Sequence, residues 1–441
     1  MPAFPRYRET DSLNNWLEQF MDRRLGVVLC FILSLLEKVR LMIVPGARIP
    51  SPVRRILFVK PVEQGALVLA YGAIKHAVER VGRENVFVFV FAKNREILDI
   101  LNVVPRENVI TVRDASLAVL ALDMLRAIVR MHRLNIDTAI DLEIFARISI
   151  ILCWLSGARR RVGLHRFNSE GPYRGALVTH RVQYNPYLHT SQAFDIFVRS
   201  AFTGQADAPL LKETPVSPLC PPPPFIPDPA DVAEVNRALN GFLPAAPGAS
   251  PKSRPVVIFN PKCLDELPAR KWADPCFIGV GTELLRSRPG ARILITGLPC
   301  EASACDAMAR SIDPARCLSL AGTLTLRGLI TLMTMSDALV SSDSGPAHFA
   351  AMTGIGGVIL FGPETPQLYS PLSCRLRTVY LGLACSPCFS PMNYRLSPCT
   401  NNVCMQQITV ERVHRELCAV LDEAGACGHE PDGTPSGRPV G

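Results

Sequence analysis

The chain has 441 residues, 48% of them hydrophobic and 20% charged, with a formal net charge of +8. That length accommodates two domains with large buried cores and excludes a wholly disordered chain. The charge suits an anionic substrate or a membrane surface and is too small, at this length, to indicate nucleic-acid binding.

The first distinctive segment is Leu25–Leu36, LGVVLCFILSLL, preceded by Arg23 and Arg24. It is shorter than the roughly 20 apolar residues that span a bilayer. Extending it to Val44 brings in Glu37, Lys38 and Arg40, each costly at mid-membrane. No small-residue cleavage site follows, so it does not read as a signal peptide. The 15 cysteines without an export signal point to a reducing compartment. Residues 1–50 are therefore expected to form a helical extension. It either lies in the cytoplasmic leaflet as a monotopic anchor with basic flanks, or packs on the protein's own surface. The corresponding expectation for location is cytoplasmic, with peripheral contact at the inner membrane.

From Arg54 onward short apolar runs alternate with helical stretches. Arg55–Val59, Val86–Ala92, Val109–Val112 and Ala139–Leu142 read as strands, with helices over Leu67–Arg80 and Leu117–His132. Val86–Ala92, VFVFVFA, is apolar without alternation, as in a strand covered on both faces. The alternation predicts a doubly wound parallel sheet over residues 51–214. Pro215–Pro229, PVSPLCPPPPFIPDP, forbids helix interior and central strand, so residues 215–254 read as a linker containing one helix, Asp231–Phe242. A second flexible stretch is expected over Pro244–Arg254. Strands resume at Val256–Asn260, Arg292–Thr296, Ala338–Ser341 and Val358–Phe361, with a helix at Leu326–Met335, giving a second α/β domain over 255–425. Residues 426–441, rich in Gly and Pro, read as a disordered tail. Two such domains facing a cleft would bind ligands there.

Several loops carry chemistry. Ser341–Gly345, SSDSG, follows a strand and enters a short helix read as His348–Thr353, with Pro346 in the first turn and Gly354 as its stop. Gly345 can take dihedrals closed to other residues. A helix N-terminus at a strand's carboxyl end suits a phosphate, although an ordinary strand-to-helix loop has the same composition. Arg270 and Lys271 beside Trp272 would pair with a diphosphate, or open a solvated helix. Glu301, opening a helix after Thr296 and Gly297, would accept from ribose hydroxyls or remain a surface group.

Lys60–Leu67, KPVEQGAL, joins the first strand to the first helix and so faces the expected acceptor side. Asp141 and Glu143 emerge at another strand's end on one face. Arg147 and Arg159–Arg161 suit an anionic acceptor or a basic surface turn. His180 and His189 read as structural. Cys385, Cys388, Cys399 and Cys404 could hold zinc or simply pack; no metal is assigned.

Asp343, Ser344, Gly345, His348, Ala350, Ala351, Phe361, Gly362, Pro363 and Pro366 together closely resemble the donor-site signature of the heptosyltransferase family, glycosyltransferase family 9. Asn260, Pro261, Arg270, Lys271 and Trp272 resemble the same family's second donor-side element. The resemblance covers roughly Arg54–Leu417. It implies a GT-B fold of two Rossmann-like domains, the first for the acceptor and the second for a nucleotide-sugar. It also implies a donor site of Arg270, Lys271, Asp343, Ser344, Gly345, His348 and Glu301.

The family's loop after the first strand ends Gly-Asp, whose Asp is the expected base. Here Lys60 and Gly65 match, but Ala66 holds the Asp position and cannot take a proton. The loop instead resembles a branch with Glu-Gln-Gly, which makes Glu63 the expected base. Glu143 is the reserve candidate, and Lys60 and Asp141 are assigned to acceptor binding. The implied reaction is inverting transfer of a sugar, heptose from ADP-heptose, to a lipopolysaccharide-type or other lipid-linked glycan. Basic residues and a helix N-terminus supply the charge, with no cofactor. A hexose donor would keep the same phosphate contacts, and Ala66 leaves open a non-catalytic scaffold on this fold.

Overall fold

The structure, a computed structural model, describes residues 21–43, 52–168, 171–204, 210–212, 214–243, 254–261, 268–390, 392 and 397–423. The expected tail at 426–441 and most of the second flexible stretch at 244–254 lie outside the described residues. The chain forms two compact units. The first contains the residues up to Pro215 together with Pro363–Ser370 and Gly382–Asn402; the second contains Val216–Gly362, Pro371–Leu381 and the chain from Val403.

The first unit is built on strands β1 (Ile56–Val59), β2 (Val86–Phe91), β3 (Val109–Val112), β4 (Thr138–Asp141), β5 (Arg160–Leu164) and β6 (His180–Val182). They form one sheet in the order β3-β2-β1-β4-β5-β6, all parallel. The central strands are buried on both faces, which is why β1 and β2 read as unbroken apolar runs. The second unit repeats the plan with β7 (Val256–Asn260), β8 (Arg292–Ile295), β9 (Cys317–Ser319), β10 (Ala338–Ser342), β11 (Gly356–Leu360) and β12 (Leu376–Val379). Its order is β12-β11-β10-β7-β8-β9, again parallel.

Numbered from its own first strand, each sheet therefore runs 3-2-1-4-5-6. This is the doubly wound dinucleotide-binding order, whose switch point lies between strands 1 and 4. The repetition extends to detail. Asp137, just before β4, accepts the Arg55 N–H at 2.8 Å, and Asp337, just before β10, accepts the Val256 N–H at 2.7 Å. Each aspartate thus ties the fourth strand of its sheet to the beginning of the first.

Eight of the strands coincide with apolar runs; β5, β6, β9 and β12 were not anticipated. Their sequences, RRVGL, HRV, CLS and LRTV, are short or carry arginines, so they lack the hydrophobic signature. The expected helix Leu67–Arg80 is two, Gln64–Leu69 and Tyr71–Val81, joined at Ala70, whose N–H still reaches the Ala66 carbonyl. The helix expected over His348–Thr353 runs Gly345–Ala350, because Pro346 already occupies its first turn. Gly354 follows at φ +69°, a left-handed conformation in which glycine carries little strain. The proline-rich stretch is without helix or strand from 214 to 228, and the next helix is Pro229–Leu239, capped by Asp228.

Residues 26–43 form a helix packed in the first unit, on the segment around Gly175. No helix of the described residues is long and apolar enough to cross a membrane.

Candidate functional site

The first unit places its candidate residues at the carboxyl ends of strands 1 and 4, where the strand order reverses. Lys60 follows β1 directly, and its side chain is only 2% exposed. Its ammonium donates to both Glu143 oxygens at 2.9 Å and to Glu63 Oε2 at 3.2 Å. Glu143 also accepts the Val62 N–H at 3.3 Å, and its own N–H donates to Asp141 Oδ1 at 3.0 Å. The sequence positions 60, 63, 141 and 143 thus converge into one cluster.

Lys60 and Asp141 do not present themselves as an acceptor-binding surface. Asp141 ends β4 with its carboxylate fully buried against the Arg174 guanidinium, itself 1% exposed. The Asp141 carboxylate, expected to bind the acceptor, is thus committed to a buried cation. Lys60 is likewise buried and committed to two carboxylates. Arg174 was not anticipated; an arginine in the irregular stretch before residues 175–177 belongs to no motif and shows its partner only in three dimensions.

Glu63 is the most exposed member, at 36%. Its backbone lies at φ 70°, ψ 94°, immediately before the helix Gln64–Leu69, and its side chain makes no capping bond. Non-glycine residues rarely occupy that region, and such a conformation costs on the order of 1–3 kcal/mol. The loop therefore holds Glu63 in a strained conformation in which its carboxylate meets Lys60 instead of capping the helix.

Arg147 and Arg161, read as possible acceptor contacts, are committed internally. Arg147 donates through its N–H to Asp22 Oδ1 at 2.6 Å and through Nε to the Tyr173 carbonyl. Arg161, 1% exposed, pairs with Glu37 at 2.8 Å. His189 caps the helix Thr190–Ala201 and its Nε2 lies 2.9 Å from the Ser370 carbonyl, a structural role.

The second unit's candidates occupy the equivalent position. Asn260 ends β7, its side-chain amide donating to Thr296 Oγ1 at 3.1 Å, and Asp343 follows β10. Arg270 reaches the Asp343 carbonyl through Nη1 at 3.4 Å, with the Asp343 carboxylate 3.7 Å away. Burial pushes the Asp343 carboxyl above the usual range, against the pull of Arg270. His348 is buried on the helix Gly345–Ala350, and its Nδ1 has no hydrogen-bond partner among the described residues. Burial, with the Arg270 charge adding to it, pushes the His348 imidazole down to about 4.

Ser344 sits at the N-cap without a capping bond; its hydroxyl donates to the Ser342 carbonyl at 3.1 Å. Gly345 has no positive φ, so the conformational freedom open to glycine is not used here. Lys271 is half-exposed, 3.5 Å from Asp274. Trp272 stands apart from the polar groups around it in sequence: it is fully buried, with its indole N–H donating to the Ile408 carbonyl at 3.0 Å. Residues 262–267 of that loop lie outside the described residues. Glu301 accepts the Leu298 N–H at 2.6 Å, so its carboxylate closes the first turn of its own helix. The four C-terminal cysteines do not gather: among the described residues no group of three or more His, Cys, Asp or Glu could hold a metal. Cys374 is disulfide-bonded.

Burial of neutral imidazoles has a consequence for pH. His180 is also pushed down to about 4, chiefly by burial. A folded-state value below that of the unfolded chain means the histidines contribute fully above about pH 6.5 and that their contribution falls as pH drops towards 4. Each is expected to cost up to about 3 kcal/mol over that interval. Urea unfolding between pH 7 and 4.5 should show His348→Gln flattening the decline; an unchanged slope would refute the assignment.

Comparison with known proteins places this geometry. Residues 227–396 match the sequence model of glycosyltransferase family 9 (heptosyltransferase). The chain is 32% identical over 82 residues to lipooligosaccharide heptosyltransferase 2 of Campylobacter jejuni; the match covers 18% of this chain and a quarter (25%) of that protein's length. The E. coli ADP-heptose lipopolysaccharide heptosyltransferase II structure superposes with a TM-score of 0.62 at 20% identity, covering 84% of this chain and 100% of that one. A family 9 glycosyltransferase from Veillonella parvula gives 0.62 at 15% identity, over 84% and 98%. An E. coli heptosyltransferase solved with ADP gives 0.57 at 14%, over 83% and 99%. The overall fold is that of these solved structures, and the stretch matched by the family model, residues 227–396, carries β7 to β12 and the Asp343–His348 loop.

Proposed function

We propose that this protein is an inverting glycosyltransferase that moves heptose from ADP-heptose to a hydroxyl of a lipopolysaccharide-type or other lipid-linked glycan. The observation that carries this reading is the placement of two polar clusters at the switch points of two sheets of identical strand order. One cluster is carboxylate-rich and the other combines Arg270 with the Asp343–His348 loop.

In the reaction, Glu63 accepts the proton of the acceptor hydroxyl. The hydroxyl oxygen then forms a bond to the anomeric carbon as the bond from that carbon to the diphosphate breaks, inverting the centre and releasing ADP. Arg270 and Lys271 balance the charge on the departing diphosphate, Arg as a fork and Lys as a mobile point charge. The Ser344 and Gly345 backbone lies at the start of the helix beside them. His348, neutral at physiological pH, offers the donor a hydrogen bond without adding charge. Glu143 and Lys60 hold Glu63 in place, and Asp141 holds Glu143 through its N–H. The loop thus supplies a carboxylate three residues before Ala66.

Donor competition tests the donor assignment. In assays with purified protein and extracted glycolipid, ADP should inhibit turnover of ADP-heptose at concentrations where UDP does not. Inhibition by UDP and turnover of a UDP-hexose would establish the hexose reading instead. Donor binding without any turnover, retained in a Glu63→Gln, Glu143→Gln variant, would favour the scaffold.

A further inference from the structure

The helix Gly26–Ile43 is polar on its buried side and apolar on its exposed side. The residues it buries are Gly26, Cys30, Ser34 and Glu37, spaced to form one stripe. Small residues on that stripe let the helix approach the backbone closely. A Cβ at Gly175 would collide with Ser34 Oγ and lie 3.1 Å from the Cys30 carbonyl, and Gly175 has φ +62°. Ser34 Oγ in turn accepts the Ala176 N–H at 2.8 Å. Glu37 is anchored by Arg161 at 2.8 Å, Arg40 at 3.0 Å and the Trp154 indole N–H at 3.1 Å. Together these partners hold the Glu37 carboxyl below its usual range despite its burial. The helix is therefore fixed to the first unit by polar contacts and close packing, which leaves its large side chains outward.

Those outward residues form a continuous apolar face. Val28, Phe31, Leu35 and Met42 are 54%, 61%, 57% and 75% exposed and share one side of the helix, flanked by Ile32 and Leu36. A soluble amphipathic helix buries such a face; this one displays it. Arg24 and Lys38, both exposed, lie on the same stripe, while the helix's Glu37 and the neighbouring Asp22 are engaged by Arg161 and Arg147. The charges shown beside the apolar face are thus basic. Exposed Ile148 continues the face near the helix start, its N–H donating to Asp22 Oδ1 at 3.0 Å.

We propose that this face is a docking surface for an anionic lipid bilayer, with the helix lying in the plane of the interface. At 18 residues it is about 27 Å long, too short and too charged to cross. Lying flat, it buries its large side chains among acyl chains while Arg24 and Lys38 reach phosphate headgroups. A second copy of the chain is a poorer occupant, since like basic charges would face each other across a two-fold axis.

Full-length protein should co-sediment with phosphatidylglycerol-containing vesicles, bind phosphatidylcholine vesicles less tightly, and lose that difference in high salt. Phe31→Glu with Leu35→Glu should lower partitioning by roughly tenfold or more, because two large side chains no longer enter the acyl region. Arg24→Gln with Lys38→Gln removes no apolar contact, so it keeps the fold should the first pair disturb it. This pair should bring anionic binding down to the phosphatidylcholine level. Circular dichroism and the urea midpoint verify that both variants are folded. Failure of the parent to bind vesicles would overturn the proposal, as would binding by both variants as tight as the parent's. So would a dimer that the Phe31→Glu, Leu35→Glu variant converts to monomer without change in vesicle binding.

Discussion

Glu63→Gln is expected to lower kcat by about 10²–10⁴ with little change in KM for the donor, the range typical of removing a general base. The amide keeps the size and hydrogen-bonding reach of the carboxylate but cannot accept the proton. One ammonium, Lys60, faces two carboxylates, and Glu143 takes the shorter, bidentate contact at 2.9 Å. Glu63, at 3.2 Å and more exposed, is the carboxylate of this pair better able to meet a substrate. The backbone provides a second readout. Replacing Glu63 with Gly should also abolish turnover, yet leave the protein at least as stable as the parent. Relief of strain worth about 1–3 kcal/mol at φ 70° offsets the roughly 0.5–1 kcal/mol that added chain freedom costs. Turnover within threefold of the parent in the Gln variant would remove Glu63 from the reaction. A Gly variant destabilised by several kcal/mol would show that the loop needs this side chain for folding.

The largest stability effect is expected at Asp141. Asp141→Ala leaves the Arg174 guanidinium, 1% exposed, without its buried carboxylate, a change that typically costs about 3–5 kcal/mol. For an unfolding unit of about 150–250 residues that lowers the melting temperature by roughly 2–4 °C per kcal/mol. Because Asp141 also accepts the Glu143 N–H, turnover should fall as well, through displacement of Glu143 and Lys60 rather than loss of a reacting group. Asp141→Leu combined with Arg174→Met should recover much of the stability, since an apolar pair needs no compensation for buried charge. A loss below 1 kcal/mol in the single variant would mean that Arg174 finds another partner and that Asp141 does not brace the loop.

Much of this architecture is legible one residue at a time. Strands buried on both faces leave unbroken apolar runs, so β1, β2, β7 and β10 can be found by reading along the chain. Strands at or near a sheet edge, such as β5 with two arginines and β9 with three residues, carry too little apolar patterning to be seen. Arg160 and Arg161 show why: they read as acceptor contacts or a basic surface turn, whereas Arg161 is in a strand and buried against Glu37, 124 positions earlier. Trp272 illustrates the opposite error. Its place beside Arg270 and Lys271 associates it with the donor phosphates, but its burial and its bond to the Ile408 carbonyl make it core.

The amino-acid order alone determined the two-domain α/β character, the family resemblance of the Asp343–His348 loop and the absence of an aspartate at Ala66, because each depends on residues adjacent or nearly so. Strand order, the union of Lys60 and Glu63 with Asp141 and Glu143, and the pairing of Asp141 with Arg174 were decided only in the folded molecule. The same is true of the outward apolar face of the helix Gly26–Ile43. These features rest on contacts between residues up to 142 positions apart. Which side of a helix is buried, and which charge neutralises which, follows from what packs beside it and not from its own periodicity.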